Sequence, residues 1–251
     1  MIYKIKNIFK KGFKYIFLKA IDYPFNSMRD IIFKKKIFSE KTVKERFTKI
    51  YKLNYWGDKD SFSGPGSNLD STKNLRMELP KLIKKFKIKS ILDAPCGDFN
   101  WMKNIYTNIN INYCGADIVN TIVTKNIQKY SNQNTTFKKL NIIADKLPNA
   151  DLMICRDCLI HFSYIDIFNF LNNFARSNIK FILTTSYLNK TEFKNKNIQT
   201  GDFRKIDLFK NPFNFKKEYL YEINDNSLLN TRDNKRLYLF KKGQINKYLI
   251  D

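Results

Sequence analysis

The sequence predicts an α/β protein with a doubly wound, mostly parallel, seven-stranded sheet. Five short apolar runs are separated mostly by helical stretches, an alternation typical of a parallel sheet with helices on both faces. Two further runs near the C-terminus follow one another without a helix, so we expect antiparallel C-terminal strands. With 251 residues and 43% hydrophobic content, the chain can bury one sizeable core.

The N-terminal part is basic, and its pattern is helical. Residues 1 to about 45 predict one or two helices broken near Pro24. Over positions 5–20 the apolar residues share one broad face and the lysines lie mostly opposite. Such a helix suits an anionic membrane surface, and it equally suits packing on its own domain or on a second subunit. We therefore expect a basic amphipathic helical extension, residues 1–45, before the main domain, residues 46–251.

The remaining elements follow in order along the main domain. The Gly-Pro-Gly run at 64–66 lies within a Ser- and Asp-rich loop. A helix should begin at about Thr72, capped by its hydroxyl or that of the preceding serine, and Pro80 should kink or restart it. The clearest later helix covers Tyr164–Phe174. The seven predicted strands are Ile88–Leu92, Tyr113–Ala116, Thr136–Leu140, Leu152–Cys155, Phe181–Thr185, Phe215–Ile223 and Arg236–Phe240.

The net charge of +23 comes mainly from lysine, and residues 1–50 hold 14 Lys and Arg against 4 Asp and Glu. Such a balance favours phosphorylated small molecules, anionic lipid or nucleic acid as partners. A compositional bias that produces a solvated basic surface explains it equally well. No run reaches the roughly 18 apolar residues of a membrane span, and no signal peptide is recognisable. We expect a cytoplasmic protein, with contact to the inner membrane surface through residues 1–40 left open.

Four cysteines do not form a disulfide framework in a chain of this size. Cys155 and Cys158 make a single CxxC pair, whereas a zinc site needs about four ligands. A redox pair is the other interpretation of this spacing. We expect buried, reduced thiols and no metal site.

Polar residues follow four predicted strands, at the edge where open α/β sheets bind ligands. Asp93 ends the first strand, and Asp117, 24 residues later, ends the second. A carboxylate at this spacing suits a ribose, because it accepts both hydroxyl protons. Asn141 follows the third strand, where its carbonyl could accept from an adenine amino group. The residues after the fourth strand are Arg156, Asp157 and His161.

The first turn lacks a GxGxxG motif, since Gly97 is its single glycine. Glycines let backbone amides approach a pyrophosphate, so their absence argues against a dinucleotide site. A cofactor with adenosine but no phosphate fits better, and we expect S-adenosylmethionine.

Three motifs carry a family resemblance. The class I S-adenosylmethionine-dependent methyltransferases have successive motifs that resemble "ILDAPCGDFNWM", "YCGADIV" and "DLMICRDCLIHF". A bacterial subfamily is similar at "NYWGDKDSFSGPGSNLDSTKNLR" and at "TTSYLN…IQTGDFR…LFKNPFNF". Its members occur among capsular-polysaccharide biosynthesis genes, including enzymes associated with O-methyl phosphoramidate modification. The resemblance covers about residues 46–240. It implies a Rossmann-like methyltransferase that methylates an oxygen of an anionic small molecule or glycan precursor.

The resemblance also implies roles for individual residues. Asp93 and Gly97 would form the turn on the methionine side, Asp117 would hold the ribose, and Ile118 would flank the adenine. Arg76 would pair with the cofactor carboxylate, although a surface position suits it equally. The chain departs from the superfamily at Pro95 and Phe99, where glycines are usual, and at Asn141, where an acid is common. The predicted cofactor-binding residues are Arg76, Asp93, Ala94, Gly97, Asp98, Trp101, Asp117, Ile118, Asn141 and Arg156.

Methyl transfer to a hydroxyl requires a group that accepts its proton. His161 and Asp157 are the predicted catalytic residues, with histidine the better base near neutral pH; a purely structural histidine stays an open alternative. Arg156 and Arg204 could neutralise an anionic acceptor. The predicted substrate-binding residues are Tyr55, Trp56 and Arg204.

Two other functions compete with this one. The positive charge suits a nucleic-acid methyltransferase. However, "CRDC" after the fourth strand lacks the Asn/Asp-Pro-Pro-aromatic clamp of base-methylating enzymes, so no nucleic acid is expected. The second alternative is a non-catalytic membrane-peripheral protein that acts through its basic helix.

Overall fold

The computed structural model describes residues 28–106, 111–189, 192–226 and 234–245. These residues contain one seven-stranded sheet. Its strands are β1 (Ser90–Asp93), β2 (Asn112–Asp117), β3 (Thr135–Lys139), β4 (Leu152–Cys155), β5 (Phe181–Tyr187), β6 (Tyr221–Asn224) and β7 (Lys235–Lys241).

The strand order across the sheet is β3-β2-β1-β4-β5-β7-β6. The first five strands pair in parallel, whereas β7 runs antiparallel to both β5 and β6. The predicted fold class is therefore confirmed. From β1 the chain winds outward through β2 and β3, then returns to place β4 on the other side of β1. This reversal of direction is the topological switch point, where ligands bind in open α/β sheets.

Helices flank the sheet. They are α1 (28–38), α2 (Val43–Lys52), α3 (Lys73–Lys85), α4 (Lys103–Tyr106), α5 (Asn120–Tyr130), α6 (Tyr164–Arg176) and α7 (Lys242–Ile245). Helix α3 begins after Thr72 as predicted, but the Thr72 hydroxyl donates to the Asn68 carbonyl, 2.8 Å away, instead of capping the helix. Pro80 lies inside a continuous α3, so the predicted restart of the helix is wrong. Burial of Leu79, Leu82 and Ile83 holds the helix together across the proline.

Side chains of the central strands alternate between two hydrophobic clusters. Leu92 and Met153 belong to the cluster that contains α6, whereas Ile91 and Ile154 belong to the cluster that contains α3. This alternation follows from the two-residue period of a strand. Because both faces of the central strands are apolar, helices must cover both, as the sequence predicts.

The predicted strand at Phe215–Ile223 is mostly wrong. Strand β6 covers only its end, and Phe215 is 4% exposed without belonging to a strand. Its ring packs edge-on against Phe240, with the ring centroids 5.4 Å apart. The apolar residues of this segment alternate as in a strand, but here they belong to a loop whose aromatic side chain packs on the sheet.

Helix α1 contacts the main domain. The Tyr55 hydroxyl donates to the Asp30 carboxylate, and the Lys34 ammonium lies 3.2 Å from the Asp202 carboxylate. The predicted boundary between residues 45 and 46 falls inside α2. The predicted amphipathic helix over 5–20 and the break at Pro24 lie outside the described residues. Among the described helices, none has the length and apolar character needed to cross a membrane.

Candidate functional site

A cavity of about 760 Å³ opens at the carboxyl ends of the central strands, on both sides of the switch point. Its floor is formed by residues that follow β1, β2, β3 and β4, and its roof includes α2 and the 62–68 segment. It contains ten of the predicted site residues. They are Trp56, Asp93, Gly97, Trp101, Asp117, Ile118, Asn141, Arg156, Asp157 and His161.

Asp93 ends β1 at the cavity floor and is 1% exposed. The Tyr113 hydroxyl donates to its carboxylate at 2.7 Å. Burial raises the pKa of Asp93 to about 7, although the Tyr113 hydrogen bond and the charge of Arg156 oppose the shift. A ligand that brings positive charge or hydroxyl donors near this carboxylate would favour its ionised form and lower its pKa.

Asp117 ends the neighbouring strand and is tied to the turn after β1. Its two oxygens accept from the Val119 amide at 2.9 Å and from the Gly97 amide at 3.2 Å. Burial raises the pKa of Asp117 to about 6, against the effect of these amides. Gly97 has φ +54, and a Cβ there would collide with the Ser63 hydroxyl. Glycine therefore suits this turn, because it adopts the positive φ without strain and leaves room for the Ser63 hydroxyl.

Asn141 lies at the cavity end of β3, as predicted. Its side-chain oxygen accepts from the Ile143 backbone N–H at 3.1 Å, which fixes the side chain in a local turn. The backbone N–H of Asn141 donates to the Asp145 carboxylate at 2.8 Å. A carbonyl oxygen has two lone pairs, so one stays free to accept from a ligand.

Arg156 is buried in a charge network beyond β4. Its guanidinium donates to the Asp225 carboxylate at 2.9 and 3.1 Å and to the Gly66 carbonyl at 2.7 Å. It also lies over the Trp101 ring, 5.6 Å from the centroid. The network joins β4, the hairpin strands and the cavity roof.

Asp157 belongs to the same network. Its carboxylate lies 3.3 Å from Arg156 and 2.8 Å from the Lys235 ammonium. Burial opposes ionisation, but the two cations hold the pKa of Asp157 well below its usual range. Its backbone has φ +49, and its amide and carboxylate both bond the Thr185 hydroxyl. A carboxylate so stabilised is a poor proton acceptor, which argues against the predicted role of Asp157 as base.

His161 lies at the cavity wall, stacked on Trp56 with ring centroids 4.2 Å apart. Its Nδ1 lies 2.8 Å from the Asp202 carbonyl oxygen. Since a carbonyl only accepts, Nδ1 must carry the proton, and Nε2 is left with a lone pair. Burial lowers the pKa of His161 to about 4, so the ring is neutral at physiological pH.

The structure does not bring five of the predicted residues to the cavity wall. Arg76 instead donates to the Leu69 carbonyl at 2.8 Å. Ala94 is fully buried, with its amide bonded to the Ile154 carbonyl at 3.0 Å. Asp98 accepts from the Ser61 and Ser63 hydroxyls and the Phe62 amide, which anchors the cavity roof.

The other two are predicted substrate residues. Arg204 is 9% exposed, and its guanidinium donates to the carbonyls of Leu159, Phe162 and Lys196. Its charge thus organises the loop after β4. Tyr55 turns toward α1, where it bonds Asp30. In both residues, the polar group that was predicted to bind a substrate is instead bonded to another part of the chain.

All four cysteines are free thiols. Burial raises the pKa of the Cys158 thiol well above its usual value, which suppresses the reactive thiolate. Within the four described ranges, no cluster of three or more His, Cys, Asp or Glu residues could hold a metal ion.

Sequence reasoning missed Asp225 and Lys235. Asp225 is 1% exposed, and its carboxylate lies 3.0 Å from the Lys235 ammonium as well as beside Arg156. The two residues flank the connection between β6 and β7, outside the quoted motifs. An acid and a lysine at the two ends of a predicted hairpin were the available signal.

Comparisons with known proteins place this geometry in a known fold. No family model and no curated protein matches the sequence. Human N-acetylserotonin methyltransferase, in complex with SAM, superposes with a TM-score of 0.54 at 14% identity, over 78% of this chain and 58% of that one. The methyltransferase domain of bacterial CtHen1 gives 0.51 at 11% identity, over 68% of this chain and 98% of that one. The chain has a class I methyltransferase fold.

The chain thus spans just over half the length of the human enzyme and nearly all of the CtHen1 domain. At these identities the similarity establishes the methyltransferase fold and nothing finer. The capsular subfamily assignment stays a prediction.

Proposed function

We propose that the chain is an S-adenosylmethionine-dependent methyltransferase. The observation that carries the proposal is the convergence of Asp93 and Asp117, two buried carboxylates from adjacent strand ends, in one cavity at the switch point. The human enzyme of the same fold is in complex with SAM, which supports the same ligand here.

The charges of the cavity suit a cationic ligand. Four carboxylates line it, those of Asp93, Asp117, Asp157 and Asp225, against the two cations Arg156 and Lys235. The last two acids pair with both cations, so Asp93 and Asp117 are the acids without a cationic partner at ion-pair distance in the described chain. Their negative charge would attract a sulfonium and an ammonium group.

The carboxylates also suit the hydroxyl groups of the cofactor. Asp117 would accept from the ribose hydroxyls, because a carboxylate has acceptor capacity beyond its two backbone bonds. Ile118 would flank the adenine, and Asn141 has one lone pair for its amino group. When bound, S-adenosylmethionine would supply a methyl group on an electrophilic sulfonium.

We propose His161 as the residue that binds the hydroxyl group of the acceptor. Its neutral ring presents Nε2 as a hydrogen-bond acceptor, while the Asp202 carbonyl and Trp56 fix the ring orientation. We propose that Nε2 would accept the hydrogen bond of the acceptor hydroxyl, and that the new O–C bond would form as the methyl–sulfur bond breaks. Because the pKa of His161 is only about 4, the ring would take the proton late, once the bond to the methyl group has made the hydroxyl strongly acidic. The fixed ring would orient the acceptor oxygen, which is where most of the catalysis in an in-line displacement arises.

We further propose an oxygen of an anionic small molecule or glycan precursor, such as a capsular sugar or phosphoramidate, as the acceptor. The net charge of +23 and the family resemblance support this proposal. Lys235 directs two of its N–H groups at Asp157 and Asp225, and an ammonium has a third to offer. We leave Arg204 out of the proposed acceptor site, because it lies outside the cavity and each of its three guanidinium nitrogens donates to a carbonyl.

Isothermal titration of the full chain with S-adenosylmethionine tests the cofactor. We expect one site with micromolar affinity and a ligand-dependent rise in melting temperature. The absence of both heat and stabilisation would remove the methyltransferase proposal. Labelled S-adenosylmethionine should then be incubated with nucleotide-linked sugars, phosphoramidates and RNA. Labelling of RNA alone would replace the proposed acceptor by a nucleic acid.

Replacing His161 by alanine separates catalysis from binding. We expect kcat to fall by about 10²-fold to 10⁴-fold, while the affinity for S-adenosylmethionine changes little, because the cofactor site is built by other residues. Ile165→Ala, at a side chain 69% exposed on α6, is the control and should leave kcat unchanged. Unchanged turnover of His161→Ala at saturating acceptor would assign the histidine a structural role.

A further inference from the structure

Helix α1 carries an exposed apolar face. Met28, Ile31 and Ile32 are 62%, 67% and 46% exposed. Their spacing of three and four residues places them on one side of the helix. Ile37, 1% exposed, faces the protein from the opposite side. We call Met28, Ile31 and Ile32 the α1 stripe.

Positive charge surrounds the α1 stripe. Lys35 lies one further turn along the same side, and Lys36 is beside it; both are exposed. Neither forms an ion pair within the described part of the chain, whereas Lys34 pairs with Asp30 and Asp202. The preceding 27 residues of the sequence contain six lysines and a single acidic residue, Asp22.

We propose that the α1 stripe docks on an anionic membrane surface. Apolar side chains beside unpaired lysines are the arrangement by which a helix lies in a lipid interface, with the apolar groups among the acyl chains and the cations at the headgroups. Each lysine near such a surface adds attraction to anionic lipid. The charge complementarity favours a bilayer over a second copy of this chain, since two copies would bring like charges together.

Docking at this position would act close to the cavity. Lys34 of α1 bonds Asp202, and the carbonyl of Asp202 holds His161. Phe203, the next residue, lines the cavity and is 53% exposed. The membrane-facing helix is therefore joined directly to the segment that forms one wall of the cavity mouth.

Vesicle co-sedimentation of the full chain tests the proposal. We expect partitioning onto vesicles rich in phosphatidylglycerol, and little onto phosphatidylcholine alone. The triple variant Met28→Ser, Ile31→Ser, Ile32→Ser should lower the partition coefficient at least about tenfold. The matched control is Met77→Ser, Ile127→Ser, Ile165→Ser, which removes the same residue types at 53%, 46% and 69% exposure elsewhere on the surface. It should partition as the unmodified chain does.

Three results would overturn the proposal. Equal partitioning of the two triple variants would place any membrane contact outside the α1 stripe. No partitioning of the unmodified chain, with a lower melting temperature for the α1 variant alone, would show that the chain itself covers the stripe. A dimer in sedimentation equilibrium that the α1 variant alone dissociates would identify a second copy as the occupant.

Discussion

Replacing Asp117 by asparagine is expected to weaken S-adenosylmethionine binding about 100-fold or more at about pH 7.5. Both Asp117 oxygens already accept backbone N–H groups, from Val119 and Gly97. An asparagine NH₂ would face one of these donors, so the turn after β1 loses a hydrogen bond. The ribose hydroxyls would lose a charged acceptor, and hydrogen bonds to charged groups contribute about 1.5–3 kcal/mol each. Titration calorimetry measures the loss.

The pH dependence of binding gives the same experiment a second readout. The pKa values of Asp117 and Asp93 are raised to about 6 and about 7 by burial. A ligand that favours the ionised carboxylates will therefore bind more tightly as the pH rises, by about tenfold to a hundredfold between about pH 5.5 and pH 8. The stability of the free protein changes in the opposite direction. Both folded-state pKa values exceed the unfolded value, so each acid lowers stability as the pH rises from about 4 to above its folded pKa.

Asp70→Asn is the control for Asp117→Asn, because Asp70 is exposed and lies outside the cavity. It should retain both the affinity and its pH dependence. If Asp117→Asn bound S-adenosylmethionine as the unmodified chain does, the carboxylate would not hold the ribose. The proposed cofactor site would then lose the observation that carries it.

The residues at the floor of the cavity were predictable, because their positions depend on the local sequence pattern of each strand. A strand that ends in an acid places that acid at the carboxyl edge of a parallel sheet whatever surrounds it, and Asp93 and Asp117 lie there. Strand β4 matches its predicted bounds for a similar reason, since Leu152–Cys155 is buried on both faces.

The hydrogen-bond partners of long polar side chains were not predictable in this way. Arg76 and Arg204 both have plausible positions in sequence, yet each donates to carbonyls of its own neighbourhood. A guanidinium has five donors on a flexible stem, so its partners depend on which carbonyls the tertiary fold leaves open. The pairing of Arg156 with Asp225 joins residues 69 positions apart, and no periodicity in a single sequence reports such a contact.

Replacing Asp225 by alanine is expected to lower the free energy of unfolding by about 3–5 kcal/mol. The Asp225 side chain has no exposed surface, and it accepts from Arg156 at 2.9 and 3.1 Å and from Lys235 at 3.0 Å. Without it, Asp157 alone would face two cations, and the buried guanidinium would lose two hydrogen bonds. For a chain of this length the loss corresponds to a melting temperature roughly 10 °C lower. Thermal and urea unfolding measure it.

A second ion pair on the same hairpin provides the matched control. Glu222 lies 2.9 Å from Arg236, but both side chains are partly exposed. Pairs in contact with water contribute about 0–1 kcal/mol, so Glu222→Ala should change stability little. Equal small losses for the two variants would mean that water reaches Arg156 and relieves its charge. A large loss for Asp225→Ala alone would show that the hairpin is held to β4 by buried charge. Because Arg156 also donates to Gly66, the cavity roof would then depend on the same carboxylate.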